Sequence, residues 1–185
     1  MDAVSAAFEA VPRAGFLPPA SPWRADLDAP IPIGHGQTNS QPRTVEAMLR
    51  LLDVRPGQRV LDVGSGSGWT TALLGHLVGP TGTVIGVELE PALVLWGRAN
   101  LRRTRFTWAD IHRAEPGTLG RPAEAPYERV LVSAEAREVP QALLDQLGEE
   151  GRMVLPVAGL MTLVVRVGED VVTSRHGHYR FVPLR

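Results

Sequence analysis

The sequence predicts an α/β fold: a mostly parallel central sheet, an antiparallel edge pair and a helical N-terminal arm. Three observations predict it. Residues 59–68, Arg-Val-Leu-Asp-Val-Gly-Ser-Gly-Ser-Gly, run from a strand-like apolar stretch into three glycines on alternate positions. After Gly68 the pattern turns helical, with Ala72, Leu73, Leu74, Leu77 and Val78 on one repeat. Downstream, apolar runs of strand length alternate with helical patterns, as parallel strands joined by crossover helices require.

The elements follow in order. Residues 2–10 place Val4, Ala7, Phe8 and Val11 at helical spacing, and Pro12 ends the run. Residues 12–34 are proline-rich yet carry Phe16, Leu17 and Trp23, too aromatic for a disordered linker, so a packed arm is expected. A helix over 42–53 sets Val45, Met48, Leu49 and Leu52 on one face and ends before Pro56-Gly57. Strand 59–63, helix 69–78, the turn 79–82, strand 83–87 and helix 91–103 come next. A weak strand falls at either 105–109 or 110–114. Strand 128–133, helix 139–147 and strand 152–157 complete the parallel pattern. The apolar runs 160–167 and 170–174 meet at Gly168-Glu169, a connection short enough for a hairpin at the sheet edge.

Composition removes whole classes of chemistry. A net charge of −1 over 185 residues offers no electrostatic case for nucleic acid or an anionic membrane. No apolar run approaches the roughly 18 residues of a membrane span. The N-terminus lacks a basic segment before an apolar core, so no signal peptide and a cytoplasmic location are expected. The absence of cysteine excludes disulfides, thiolate metal sites and thiol nucleophiles. All 19 basic residues are arginine, which excludes a Schiff-base lysine, a phosphate-loop lysine and a lysine general base.

Two stretches point to chemistry. In the first, Gly64-x-Gly66-x-Gly68 lets the backbone approach a ligand that any Cβ would push away. Dinucleotide turns use Gly-x-Gly-x-x-Gly instead. Asp62, just before the glycines, would repel a pyrophosphate but suits a cationic or amine-bearing ligand. Glu88 follows the next strand, where a carboxylate can accept from both hydroxyls of a ribose. The whole resembles motif I of S-adenosylmethionine-dependent methyltransferases. The second stretch is the polar loop 34–42, Gly-His-Gly-Gln-Thr-Asn-Ser-Gln-Pro. Its plain reading is a helix start, with Ser40 as cap and Pro42 in the first turn. A cap needs one polar residue, however, and Gln37, Thr38, Asn39 and Ser40 stand in succession.

Together the stretches resemble the protein-L-isoaspartate O-methyltransferases, whose signature loop reads Gly-x-Gly-Gln-Thr-Ile-Ser-Gln-Pro. Val11-Pro12-Arg13 before Phe16, Gly117-Thr118-Leu119-Gly120, Val139 to Leu143, Gly151 to Val157 and Phe181 to Leu184 match family wording in the same order. The resemblance implies a Rossmann-like class I methyltransferase fold over a single domain, 1–185. Residues 1–41 would form the arm and acceptor loop, and 42–185 the cofactor-binding core and C-terminal strands. It implies S-adenosyl-L-methionine as cofactor and S-adenosyl-L-homocysteine as product. Thr38, Asn39, Asp62, Gly64, Ser65, Gly66, Gly68, Glu88, Leu89, Pro116 and Gly117 would hold the cofactor. Ser40 would be the active-site hydroxyl, with Gln37, Thr38, Phe181 and Val182 beside the substrate. The acceptor would be an isoaspartyl-containing protein or peptide, with no metal, nucleic acid or membrane, and the enzyme a monomer.

The chain departs from the family pattern at several points. Glu115-Pro116-Gly117 replaces Gly-Asp-Gly, removing an acceptor for the adenine amino group, and Asn39 replaces an apolar residue. Glu135 interrupts an alanine-rich stretch, and relatives carry a longer tail beyond the position of Arg185. Two alternatives follow from these changes: an enzyme dedicated to one aspartyl or isoaspartyl peptide, and a catalytically inactive domain that binds the cofactor. His176 and His178 share a strand face but lack a third metal ligand. His35 borders the acceptor loop, and Trp69 and Trp96 sit at helical spacing that favours core packing.

Overall fold

The computed structural model describes residues 2–185. Asp2 caps helix α1 (Ala3–Ala10) by accepting from the Val4 and Ser5 amides. The arm continues through two 3-10 turns, Arg13–Phe16 and Pro22–Arg24. The loop after it is more ordered than the sequence suggests, because β1 (Ile31–Gly34) and β2 (Gln37–Asn39) pair as a small antiparallel hairpin. Gly34, His35 and Gly36, all at positive φ, make its turn.

Helix α2 (Pro42–Leu52) buries the expected Val45, Met48, Leu49 and Leu52. Its start differs from the plain reading of the sequence. Gln41 occupies the cap position, and the carboxylate of Asp28, from the arm, accepts from the Arg43 amide at 3.0 Å. Ser40 is therefore not the cap.

Next come β3 (Arg59–Val63), α3 (Trp69–Val78), β4 (Thr83–Glu88), α4 (Pro91–Leu101) and β5 (Ala109–Arg113). The weak strand thus falls on the second of its two candidate positions, pairing Val84 with Ala109 through Glu88 with Arg113. Then follow β6 (Tyr127–Val132), α5 (Gln141–Leu144), β7 (Leu147–Val157), β8 (Leu160–Val167) and β9 (Asp170–His178). Helix α5 is shorter than the predicted 139–147. Leu147 pairs with Tyr127 at the start of β7, and sheet pairing overrides local helix propensity.

One seven-stranded sheet results, in the order β5-β4-β3-β6-β7-β8-β9. It is parallel from β5 to β7, and β8 and β9 extend it antiparallel. Alternation along β3 feeds two cores. Val60 packs beneath α1 to α4, while Leu61 and Val63 face Tyr127, Leu143 and Leu155 on the other side. Strand order reverses beside β3: the chain leaves toward β4 and returns on the other flank as β6. In open parallel sheets, ligands bind outside the strand ends at such a point. Among the described residues, no helix is long and apolar enough to cross a membrane.

Candidate active site

A cleft of about 1160 Å³ opens at the carboxyl ends of β3, β4 and β6. One wall is the glycine turn. The Gly64 and Ser65 amides both donate to the Val87 carbonyl, at 2.9 and 3.2 Å, so the turn is anchored on β4. At the end of that strand, Glu88 accepts from the Gly66 amide through one carboxylate oxygen and from the Glu90 amide through the other, each at 2.9 Å. Its carboxylate is locked before any ligand arrives. Gly64, Ser65, Gly66, Glu88 and Leu89 all line the cleft.

Two residues expected to meet the cofactor stand behind this wall instead. Gly68, at φ = 88°, packs against α4, where an added Cβ would lie 3.0 Å from the Gly97 carbonyl oxygen. Its role is close helix packing. Asp62 is fully buried and accepts from the Thr70 and Thr71 hydroxyls, at 2.9 and 2.7 Å, in the first turn of α3. A carboxylate suits that position because the helix amino-terminus carries partial positive charge. Burial nevertheless pushes its pKa up to about 6, against the lowering effect of the two hydroxyls. Among the described residues its second oxygen has no hydrogen-bond partner.

A second wall, joined to the glycine turn by the Asn39–Ser67 hydrogen bond, carries Gln37, Thr38, Asn39 and Ser40. Buried Arg13 holds it in place, donating to the carbonyls of Leu27, Ala29, Asn39 and Ser40 and to the side chain of Asn39. Its guanidinium also lies over the Trp69 ring, 5.4 Å from the centroid. Burial lowers the Arg13 pKa to about 10, which leaves it charged at neutral pH. Within the protein the Ser40 hydroxyl makes no hydrogen bond among the described residues, although its backbone is held on the cleft wall.

Two further segments close the cleft. Phe181 and Val182 line it, and Glu135 fixes them: its amide donates to the Val182 carbonyl at 2.7 Å, and its carbonyl accepts from the Leu184 amide. Both are backbone bonds, so the C-terminal segment is tied down at position 135 independently of the glutamate side chain that interrupts the alanine-rich stretch. On the other side, Glu115-Pro116-Gly117-Thr118 forms a turn closed by the Thr118 amide, with Gly117 at φ = 76°. Pro116 lines the cleft, and its side chain has no acceptor to offer.

His35 reaches across the mouth, its Nδ1 3.7 Å from Glu90. His176 contacts Ser174, and the described residues contain no metal-binding cluster. Trp69 packs on Phe8, as its spacing predicts, and also reaches the cleft wall. Residues not anticipated from sequence include Ser67, Glu90, Ser133 and the roles of Arg13 and Glu135. Ser133 was findable in principle, since it follows β6 at the strand-order reversal.

The cleft lining carries both signs of charge: Glu88, Glu90, Glu115 and Glu138, and Arg43, Arg137, Arg180 and Arg185. The carboxylates suit a cationic donor and the guanidinium groups an anionic acceptor. Locked carboxylate, backbone amides and apolar walls from Val63 and Leu89 fit S-adenosylmethionine, and the class these features define is that of the class I methyltransferases.

The family model of protein-L-isoaspartate(D-aspartate) O-methyltransferase matches residues 1–185. The chain belongs to this family, and its cofactor is S-adenosylmethionine. A protein-L-isoaspartate O-methyltransferase of Methanopyrus kandleri is 44% identical over 186 residues, covering 98% of this chain and 82% of that one. One from Aeropyrum pernix is 42% identical, covering 94% and 69%. A solved protein-L-isoaspartate O-methyltransferase superposes with a TM-score of 0.88 at 25% identity, over all of this chain and 62% of its own length. A Plasmodium falciparum protein, described as a putative member and solved with S-adenosyl-L-homocysteine, gives 0.86 at 25% identity, over all of this chain and 91% of its own.

Proposed function

We propose that the chain transfers a methyl group to the free carboxylate of L-isoaspartyl residues in proteins or peptides, with Ser40 orienting that carboxylate. The observation that carries this reading is the Ser40 hydroxyl. It stands on the cleft wall beside the glycine turn, released from helix capping by Asp28 and Gln41 and without a partner among the described residues.

Bound S-adenosylmethionine supplies an electrophilic methyl group on a sulfonium. Glu88 receives the ribose hydroxyls, and Gly64 to Gly66 admit the backbone approach. Leu89, Pro116 and Gly117 flank the nucleoside, Thr38 and Asn39 divide donor from acceptor, and Gln37, Phe181 and Val182 border the peptide. The acceptor carboxylate is ionised at neutral pH, so no general base is needed. In-line placement and exclusion of water then supply most of the catalysis. The lack of lysine and cysteine costs this mechanism nothing. The same reading makes the protein a cytoplasmic monomer without nucleic-acid or membrane partners.

Mass spectrometry of paired isoaspartyl and aspartyl peptides, incubated with enzyme and S-adenosylmethionine, tests the proposal. A methyl ester on the isoaspartyl peptide alone is expected. No ester on either, or equal esterification of both, would overturn it.

A further inference from the structure

We infer that Asn39 is a positioning residue, whose side-chain hydrogen bond to Ser67 fastens the acceptor loop to the cofactor turn and sets Ser40 against the methyl donor. The inference rests on the roles proposed above for Ser40 and the glycine turn.

Asn39 is only 5% exposed, so both ends of its amide need partners. Its Oδ1 accepts from Arg13 Nε at 2.7 Å, and its Nδ2 donates to the Ser67 hydroxyl at 3.1 Å. Ser67 is itself fixed, being buried and having its carbonyl accept from Asn100 of α4 at 3.0 Å. Among the described residues, the Asn39–Ser67 contact is the only hydrogen bond between residues 31–40 and residues 64–68. An aliphatic side chain could fill the same space but could not make this directional link.

The link reaches Ser40 through Arg13. One terminal nitrogen of Arg13 serves three carbonyls with two hydrogens: Ala29 and Ser40, each at 2.8 Å, and Asn39 through a longer, shared bond at 3.1 Å. The Asn39 and Ser40 carbonyls belong to the peptide planes on either side of the Ser40 Cα. Fixing both planes fixes the direction of the Ser40 Cβ, and with it the reach of the hydroxyl. A ligand seated against the already anchored glycine turn therefore also steadies Ser40 through this link, and the reciprocal gain in ligand affinity stays within about threefold.

Ser67→Ala cuts the link while leaving every Arg13 contact in place, and Asn39→Leu cuts it from the other end. Asn39→Asp is the conservative control, because its carboxylate accepts from Arg13 and also from the Ser67 hydroxyl. Two measurements apply: steady-state methylation of an isoaspartyl peptide, and amide hydrogen exchange of residues 37–41 with and without S-adenosylhomocysteine.

In the wild type, S-adenosylhomocysteine should slow exchange in 37–41. Ser67→Ala should lose that protection, and its kcat should fall about tenfold, equivalent to about 1.4 kcal/mol. Peptide KM and S-adenosylhomocysteine affinity should stay within about threefold, because the link orients rather than binds. Asn39→Leu should reproduce the loss and Asn39→Asp should retain most of the turnover. Retained protection in Ser67→Ala, or unchanged kcat in the folded variant, would overturn the inference. So would a loss of cofactor affinity as large as the loss of kcat, which would make Ser67 a cofactor contact. Should the wild type fail to esterify the peptide, the functional reading falls, while the exchange experiment still judges the link.

Discussion

The cofactor wall of the cleft continues the sheet, whereas the acceptor wall is assembled from segments far apart in the chain. Gly64 and Ser65 hang from the Val87 carbonyl, and Ser133 donates to Val63 across the strand-order reversal. That wall is held by backbone ladders, many bonds deep. The acceptor wall combines the hairpin 31–39, the stretch around Glu135 and the C-terminal residues 181–184. Arg13 and Glu135 hold it by a handful of bonds to isolated carbonyls and amides. A wall built on a ladder loses affinity when one side chain goes. A wall built on single ties loses its shape.

Arg13 should therefore be the most damaging position. Arg13→Met leaves the carbonyls of Leu27, Ala29 and Ser40 without their donor, a loss of about 1–3 kcal/mol for each one that stays buried. Urea denaturation should show it, and turnover should fail while the remaining folded protein still binds S-adenosylhomocysteine. Wild-type stability would mean the acceptor wall is held by other contacts.

Asp62 tests the support beneath the cofactor wall. Its folded pKa of about 6 lies above the ordinary 3.8, so the folded state holds this proton more tightly than the unfolded chain. The resulting stabilisation is present below about pH 4 and is lost as pH rises through 6. Relative to Asp62→Asn, the wild type should lose about 3 kcal/mol of stability between pH 4 and 7. Parallel pH profiles would contradict the burial of an ionising carboxyl.

Glu88 should affect the ligand in addition to the glycine turn, whose Gly66 and Glu90 amides it pairs. Removing its charge-assisted contacts in Glu88→Ala should weaken S-adenosylhomocysteine binding by about 2 kcal/mol, roughly thirtyfold. Unchanged affinity by calorimetry in a folded variant would remove Glu88 from the ribose site. The smallest effect is expected at Pro116. Pro116→Asp adds an acceptor on the cleft and should tighten cofactor binding by about 1 kcal/mol, provided the Glu115–Thr118 turn survives. A folded variant without that gain would place the adenine amino group elsewhere.

Legibility in the sequence follows the same division. Strands β3 and β4, helix α3 and the glycine turn were readable because local pattern dictates them: apolar alternation, helical spacing, and glycines where φ is positive. The positions of Ser40, Phe181 and Val182 came only through family resemblance, since no local pattern links residues 40 and 181. Asp62 and Gly68 were misplaced for one shared reason. Sequence put them beside the glycine turn but could not say which side faces the cleft. Nor could it show that Asp28 caps α2, a contact spanning 15 positions, which frees Ser40.

The most direct test of the account is Ser40→Ala, measured three ways: melting temperature, S-adenosylhomocysteine affinity, and methyl transfer to an isoaspartyl peptide at saturating cofactor. With the helix capped by Asp28 and Gln41, the melting point should barely move, and cofactor affinity should stay within a few fold. Turnover should fall ten- to a hundredfold, or roughly 1.4 to 2.7 kcal/mol of transition-state stabilisation. Full turnover in the folded variant would contradict the account, because the Ser40 hydroxyl would then not orient the acceptor carboxylate.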